Sequence, residues 1–203
     1  MKSNTETLYV SMGQINVMAL CLLLVVAMID VRPVFARKTN LPHFPTRSHT
    51  SGLTDREVNI LYGEFKELRS FGVIAASTVG DAGLIGLDET ALTSFLKAKF
   101  KEYFGESFYD DVTRDSRKFL SLLSSKDKNI GNMTSRVWVI ADDDLVIYHV
   151  KSDAGNFDNP SIWNEEVLGH GTKATSSAAI RRILDEMMKE LATSFFRVRG
   201  RQM

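Results

Sequence analysis

One stretch, RVWVIADDDLVIYHV, limits the possible folds of this chain more than any other. Two runs rich in β-branched and aromatic residues, Val137–Ile140 and Leu145–Val150, flank the acidic segment Ala141–Asp144. Two such runs around a short polar turn are typical of an antiparallel hairpin. Within it, Trp138 is predicted to be a core residue. His149 shares a face with Leu145 and Ile147, which predicts a hydrogen-bonded histidine at the edge of the core.

The strongest helical pattern lies near the end of the sequence. Apolar residues recur there at the spacing of one helix face, and charged residues occupy the other face. The apolar stripe contains Ile180, Ile183, Leu184, Met187, Met188, Leu191, Ala192 and Phe195.

Three further helices are indicated, the first two of them by residues at their ends. Thr54 to Glu57 form a capping box that starts the first helix, and Asp88 caps a second helix that ends at Gly105. A weaker third helix covers about Val112 to Ser124. Its inward residues are predicted to be Phe119, Leu120 and Leu123.

Two remaining segments complete the predicted fold. Ser70–Thr78 is a short apolar run typical of a buried strand. The segment Asn159–Gly169 has a helix cap at its start, proline at the first helical position and glycine at its end, which predicts a short helix. The order α-β-α-α-ββ-α-α lacks the alternation of a doubly wound sheet. We therefore predict an α+β fold, with a small, mainly antiparallel sheet and helices packed on one face.

The N-terminal region indicates export. Val17–Ile29 is an unbroken run of 13 apolar residues, which as a helix spans about 20 Å and is too short for a bilayer core of about 30 Å. Pro33 follows, and the small residue Ala36 ends a typical cleavage pattern. We predict a signal peptide over residues 1–36, with an uncleaved anchor over Leu8–Ile29 as the alternative.

The rest of the chain divides in two. Residues 37–52 are polar, contain two prolines and show no apolar period, so they are predicted to be a flexible tether. Residues 53–203 have the length of one ordinary domain. The predicted location is the periplasm or the extracellular space, with anchoring to the membrane as the alternative.

Composition excludes several chemistries. Cys21 is the only cysteine and would leave with the signal peptide, so the mature chain would have no disulfide, cysteine-ligated metal or cysteine nucleophile. The chain has 25 basic and 25 acidic residues, which gives no long-range attraction to nucleic acid. Arg197, Arg199 and Arg201 form a basic end. It is predicted to be a solvated helix end, with peripheral membrane contact or an acidic partner as the alternative.

No motif for a catalytic site, a metal or a cofactor stands out, and catalytic residues remain unknown. The segment Gly169–Arg182 resembles an anion cradle in composition, but it lacks the spacing of a phosphate-binding loop. We predict instead that Gly169 ends one helix and that Ser176 or Ser177 caps the next. The aspartates of the hairpin region are predicted to be solvated turns, with a calcium site as the alternative.

Two functions follow from these observations. The preferred one is an exported, non-catalytic domain that binds a protein partner or a small ligand at the cell envelope. Its exposed binding loop is predicted over Lys151–Lys173, with Asn156, Trp163, His170 and Lys173 as contact residues. The alternative is an exported carboxylate-based or metal-assisted hydrolase, for which convergence of two carboxyl groups is needed. Its candidate residues are Asp142, Asp144, Asp153, Glu165, Glu166 and His170.

Overall fold

A four-stranded mixed sheet lies at the centre of the structure, a computed structural model that describes residues 52–125 and 127–200. Its strands are β1 (Ser70–Gly80), β2 (Ile130–Asp142), β3 (Leu145–Gly155) and β4 (Trp163–Thr172), and they lie side by side in chain order. β1 runs parallel to β2, and the other two pairs are antiparallel. The predicted α+β class is confirmed, and so is the hairpin of β2 and β3. The signal peptide and all of the tether except Gly52 lie outside the described residues.

Four helices pack against the sheet: α1 (Asp55–Tyr62), α2 (Glu89–Phe104), α3 (Ser116–Ser125) and α4 (Lys173–Val198). α2 contacts β1, whereas α4 contacts β3 and β4 as well as α1 and α2. The connection from β1 to β2 carries α2 and α3, because a parallel pair needs a long crossover. Among the described residues, no helix combines the length and apolar character needed to span a bilayer.

The predicted starts of the first two helices, and the predicted end of the second, are found where the sequence places them. Thr54 and Glu57 form the reciprocal capping box of α1. The Asp88 carboxylate accepts a hydrogen bond from the Ala91 N–H at 2.7 Å at the start of α2. Gly105 follows the last residue of α2 with φ of 83°, a left-handed conformation that favours glycine.

The core lies between the sheet and the helix layer. Val137, Val139, Val146 and Val150 on one sheet face are buried. The predicted apolar stripe of α4 is confirmed, since all eight of its residues are buried. Aromatic rings fill one end of the core with centroid separations of 4.0 to 5.8 Å, and such stacked and tilted ring pairs attract beyond their burial. These rings are Phe71, Phe100, Phe104 and Phe195.

The predicted helix over Asn159–Gly169 is wrong. Residues 163–172 form strand β4, and each pairs with β3. The deciding pattern has a period of two, in which buried Trp163 and Glu165 alternate with exposed Asn164 and Glu166. Ten cross-strand pairings outweigh a local capping signal, because helix propensity is a weak preference that tertiary contacts override.

The glycine that was expected to end that helix has a different role. A Cβ at Gly169 would lie 2.4 Å from the Tyr148 ring on the neighbouring strand, so only glycine allows this packing. The following helix begins at Lys173, and Thr172 is its capping residue in place of the predicted Ser176 or Ser177.

The third helix is shorter than predicted and is rotated. A 3-10 turn occupies Val112–Arg114, and the Asp115 carboxylate then accepts hydrogen bonds from the N–H groups of Arg117 and Lys118. Leu120, predicted to face inward, is 63% exposed, and Leu122 is buried in its place. The Asp115 cap determines where the first turn begins and therefore which side chains face the core.

Candidate functional site

In the part of the chain that the structure describes, the core helices cover one face of the sheet and leave the other largely open. Side chains alternate between these faces along each strand. Five large apolar side chains on the open face are 43 to 68% exposed: Val79, Ile140, Leu145, Ile147 and Leu168. Apolar residues scattered singly need no explanation, but five on one sheet face make that face a candidate interaction surface. We call this surface the open face.

The strand register places the open-face residues in cross-strand rows. One row runs Val79, Trp138, His149 and Leu168, from β1 to β4. The next row toward the β2–β3 turn contains Ile140, Ile147 and His170. On the other side of the Trp138 row, Ser77, Arg136, Lys151 and Glu166 form a polar row. The apolar end of the open face is therefore bordered by charge on one side.

The Trp138 row is ordered by ring contacts. The Trp138 and His149 rings stack with centroids 5.0 Å apart and planes inclined by 18°. The Arg136 guanidinium lies 5.5 Å from the Trp138 ring centroid, a cation–π contact. His149 Nε2 lies 3.4 Å from Glu166 Oε2. These contacts hold flat rings in place at the surface, which lowers the entropy that a partner must remove on binding.

Both ring residues differ from their predicted environment. Trp138 was expected in the core and His149 at its edge, yet both are half-buried on the open face. His149 does share a face with Leu145 and Ile147, as predicted, but that face is the uncovered one. The sequence pattern shows which residues lie together and cannot show which face the helices cover.

A groove of about 490 Å³ lies at the other end of the same sheet face. Phe119 of α3 and the β3–β4 connection contribute to its walls, and side chains of three strands contribute the rest. The lining residues are Val73, Phe119, Asn132, Thr134, Asp153, Phe157, Pro160 and Ser161. Two aromatic rings beside hydroxyl, amide and carboxylate groups give a lining of the mixed kind that binds small ligands.

The four predicted contact residues are not brought together. Trp163 is fully buried on the helix-covered face of β4, and Asn156 is buried in the turn before it. The Asn156 side chain accepts hydrogen bonds from the N–H groups of Asp158 and Asn159, so it shapes the turn. His170 and Lys173 are both exposed. His170 lies near the far end of β4, about 23 Å from Trp163 for seven residues of strand, and Lys173 is the first residue of α4. The predicted exposed loop over Lys151–Lys173 is mostly strand.

The candidate carboxylates of the hydrolase hypothesis also lie apart. Asp142 and Asp144 are exposed at the β2–β3 turn, whereas Asp153 lines the groove at the opposite end of β3. Glu165 and Glu166 are on opposite faces of β4. Within residues 52–125 and 127–200, no three His, Cys, Asp or Glu side chains gather closely enough to hold a metal ion. The aspartates at the turn fit the predicted solvated turn, in which Asp143 has φ of 48°.

Glu165 has an unusual environment that the sequence did not single out. It is 4% exposed, and neither its Oε2 nor Trp163 Nε1 has a hydrogen-bond partner among the described residues. Burial, together with the nearby carboxylates of Glu190 and Glu186 on α4, raises the pKa of Glu165 to about 7.

Two arginines of the basic C-terminal end form hydrogen bonds with other residues of the same chain. Arg197 donates to the Asp55 carboxylate at 2.8 Å and to the Leu53 carbonyl at 2.6 Å. Arg199 donates to the carbonyls of Phe65 and Leu68 and lies over the Phe195 ring at 4.2 Å. These bonds tie α4 to α1 and to the turn after it. Arg201 lies outside the described residues, and contact with a membrane stays a prediction.

Comparison with known proteins gives a limited result. No family model matches the chain, and no curated protein matches it. Among solved structures, the chain is similar to the PelC dodecamer from Paraburkholderia phytofirmans in two crystal forms. Both matches have 8% identity and cover 61% of this chain and 88% of PelC, with TM-scores of 0.42 and 0.41. At this level the resemblance carries no functional inference.

Proposed function

We propose that this protein is an exported, non-catalytic domain that binds a partner at the cell envelope through the open face of its sheet. The observation that supports this function is the group of five exposed apolar side chains around the stacked pair of Trp138 and His149. A protein partner would bury the apolar rows, and the charged row through Arg136 and Lys151 would orient it. Trp and Arg are the residue types that most often dominate binding energy at such interfaces.

The groove adds a second place for recognition on the same surface. Its polar groups include Asp153, whose carboxylate accepts a hydrogen bond from the Ser161 hydroxyl at 3.0 Å. A side chain or small ligand held there would lie two rows from Trp138 along β2. A partner peptide could therefore occupy the groove and the apolar rows together.

The hydrolase alternative has less support. General acid–base catalysis needs two carboxyl groups within reach of one substrate bond. Asp142 pairs with Leu145, which is eight strand positions from Asp153, and Glu165 lies on the other side of the sheet. We therefore do not assign catalytic roles to these residues.

Site-specific photo-cross-linking in the native host tests the proposal. A photoreactive residue at Ile147 is expected to capture one partner, whereas the same residue at Leu61, which is exposed on α1, captures none. Trp138→Ala should then reduce capture at Ile147 at least tenfold, because it removes the ordered aromatic row. Equal capture from both positions, or capture that Trp138→Ala leaves unchanged, would show that the open face is not the binding surface.

A further inference from the structure

The two edge strands of the sheet, β1 and β4, differ in how far the hydrogen-bonding groups of their outer edges are satisfied within the described residues. On β1, the Ala76 N–H donates to the Thr93 hydroxyl at 2.9 Å, and the Phe71 carbonyl accepts from the Asp110 N–H at 3.0 Å. These bonds occupy the outer edge of β1. Within the described residues, no hydrogen bond reaches the outer backbone groups of β4 between Asn164 and Gly171.

The hydrogen bonds at the end of β2 reveal which groups of β4 point outward. The Ala141 N–H donates to the Asp81 carboxylate at 3.0 Å, and the Val139 carbonyl accepts from the Asp81 N–H at 2.9 Å. Both groups point away from β3. The N–H and C=O groups of successive residues point to opposite sides of a strand. Those of Ile140 and Asp142 therefore point toward β3.

Because the β2–β3 and β3–β4 pairings contain no register shift, the same alternation can be followed from β2 to β4. Asp142 pairs with Leu145, so Val146 and Tyr148 point toward β4, where they meet Gly171 and Gly169. The N–H and C=O groups of four other residues must then point outward: Asn164, Glu166, Leu168 and His170. Thr172 agrees with this assignment, because its N–H donates to the Thr175 hydroxyl and not to β3.

We propose that β4 pairs antiparallel with β4 of a second copy of this chain, with the two-fold axis at Leu168. In this register Glu166 lies opposite His170 of the partner subunit on the exposed face, and the arrangement occurs twice by symmetry. An imidazole N–H can donate to a carboxylate, so the outward row is complementary to itself. The two Leu168 side chains, each 68% exposed in the monomer, meet at the axis.

Other symmetric registers fit less well. An axis at Glu166 would place two carboxylates directly opposite each other, which destabilises a strand pair. An axis at Val167 would place the Glu166 carboxylate against Leu168 of the partner subunit. In the Leu168 register, inward-directed Glu165 lies opposite Gly171 of the partner subunit, so no like charges meet on the helix-covered face either.

The pairing goes beyond the proposed function, because it would join two open faces into one eight-stranded surface. The rows through Trp138 would meet at Leu168 and extend across both copies. A C2 interface of this kind uses the same strand from each subunit, and it closes the edge against further pairing.

Cysteine cross-linking of the full-length chain in a Cys21→Ser background tests the register. Opposed residues in a hydrogen-bonded antiparallel pair have Cα atoms about 5.5 Å apart, which suits a disulfide. Leu168→Cys is therefore expected to yield a disulfide-linked dimer. Glu166→Cys alone should yield none, since its copies would be about 13 Å apart along the strand. Combining Glu166→Cys with His170→Cys should restore the cross-link, and a failure of Leu168→Cys to cross-link overturns the register.

Sedimentation of the full-length chain measures the association itself. The wild type is expected to be a dimer at tens of micromolar, and His170→Glu should weaken dimerisation roughly tenfold or more by opposing two pairs of carboxylates. Thr90→Glu makes the same charge change on an exposed site of α2 and should leave the dimer intact. The double variant Glu166→Lys/His170→Glu should recover dimerisation, which also shows that the single variant did not simply misfold. A monomeric wild type, or no recovery in the double variant, refutes the pairing.

Discussion

Replacing the buried carboxyl group of Glu165 should change how the stability of this protein depends on pH. In the folded state the pKa of Glu165 is raised by burial, and then by the carboxylates of Glu190 and Glu186, from 4.5 to about 7. In the unfolded chain it returns to its ordinary value. The folded state therefore binds this proton more tightly, and the free energy of unfolding falls as pH rises from about 4.5 to about 7.

The size of the effect follows from the shift. One pKa unit corresponds to about 1.4 kcal/mol, so ionising Glu165 costs the folded state about 3 kcal/mol above pH 7. Glu165→Gln removes the ionisation and keeps the shape of the side chain. It should raise the free energy of unfolding by less than about 1 kcal/mol at pH 5 and by up to about 3 kcal/mol at pH 8.

Urea denaturation at fixed protein concentration between pH 5 and 8 provides the assay. This window avoids Asp111 and Glu57, whose lowered pKa values affect stability only at lower pH. Glu67→Gln is a matched control, because Glu67 forms an exposed ion pair with Lys128 that is worth less than about 1 kcal/mol. A wild type whose stability is flat over this window would refute the reasoning, as would an equal effect of Glu165→Gln at every pH.

Three further predictions concern packing, the C-terminal arginine and the first helix. Gly169→Ala should lower the free energy of unfolding by about 1 to 3 kcal/mol, because the new Cβ meets the Tyr148 ring; urea denaturation measures this. Arg199→Ala should cost about 2 kcal/mol in the same assay by leaving the Phe65 and Leu68 carbonyls without their donor, and an unchanged midpoint would contradict the role assigned to Arg199. Thr54→Ala should lower the free energy of unfolding by about 1 kcal/mol, because the capping box is lost, and thermal denaturation should show a lower Tm. An unchanged Tm would mean that packing alone holds α1 in place.

Some elements could be predicted because their signals are local. The capping box at Thr54, the cap at Asp88 and the left-handed Gly105 each depend on a few neighbouring residues. The α4 stripe and the β2–β3 hairpin depend on repeated spacing, which tertiary contacts reinforce. These elements were placed correctly, and they sufficed for the α+β class.

Other elements depended on contacts that are distant in sequence. The local pattern from Asn159 to Gly169 favours a helix, yet pairing with β3 makes residues 163–172 a strand. The same misplacement put Trp163 and Asn156 in an exposed loop, although both are buried. The residues of β4 alternate between the two faces of the sheet, which is a strand signal. Asn159, Pro160 and Gly169 also fit the ends of a helix, and this local pattern favoured the wrong prediction.

The sequence by itself therefore determined the local elements and which side chains share a face, because periodicity and caps act over a few residues. Only the tertiary structure decided that helices cover one face of the sheet and leave Trp138 and His149 on the other. It also decided that, among residues 52–125 and 127–200, hydrogen bonds occupy the outer edge of β1 and none reaches the outer edge of β4 between Asn164 and Gly171. The reason is physical: burial and edge pairing are set by segments far apart in the chain, and no local pattern carries that information.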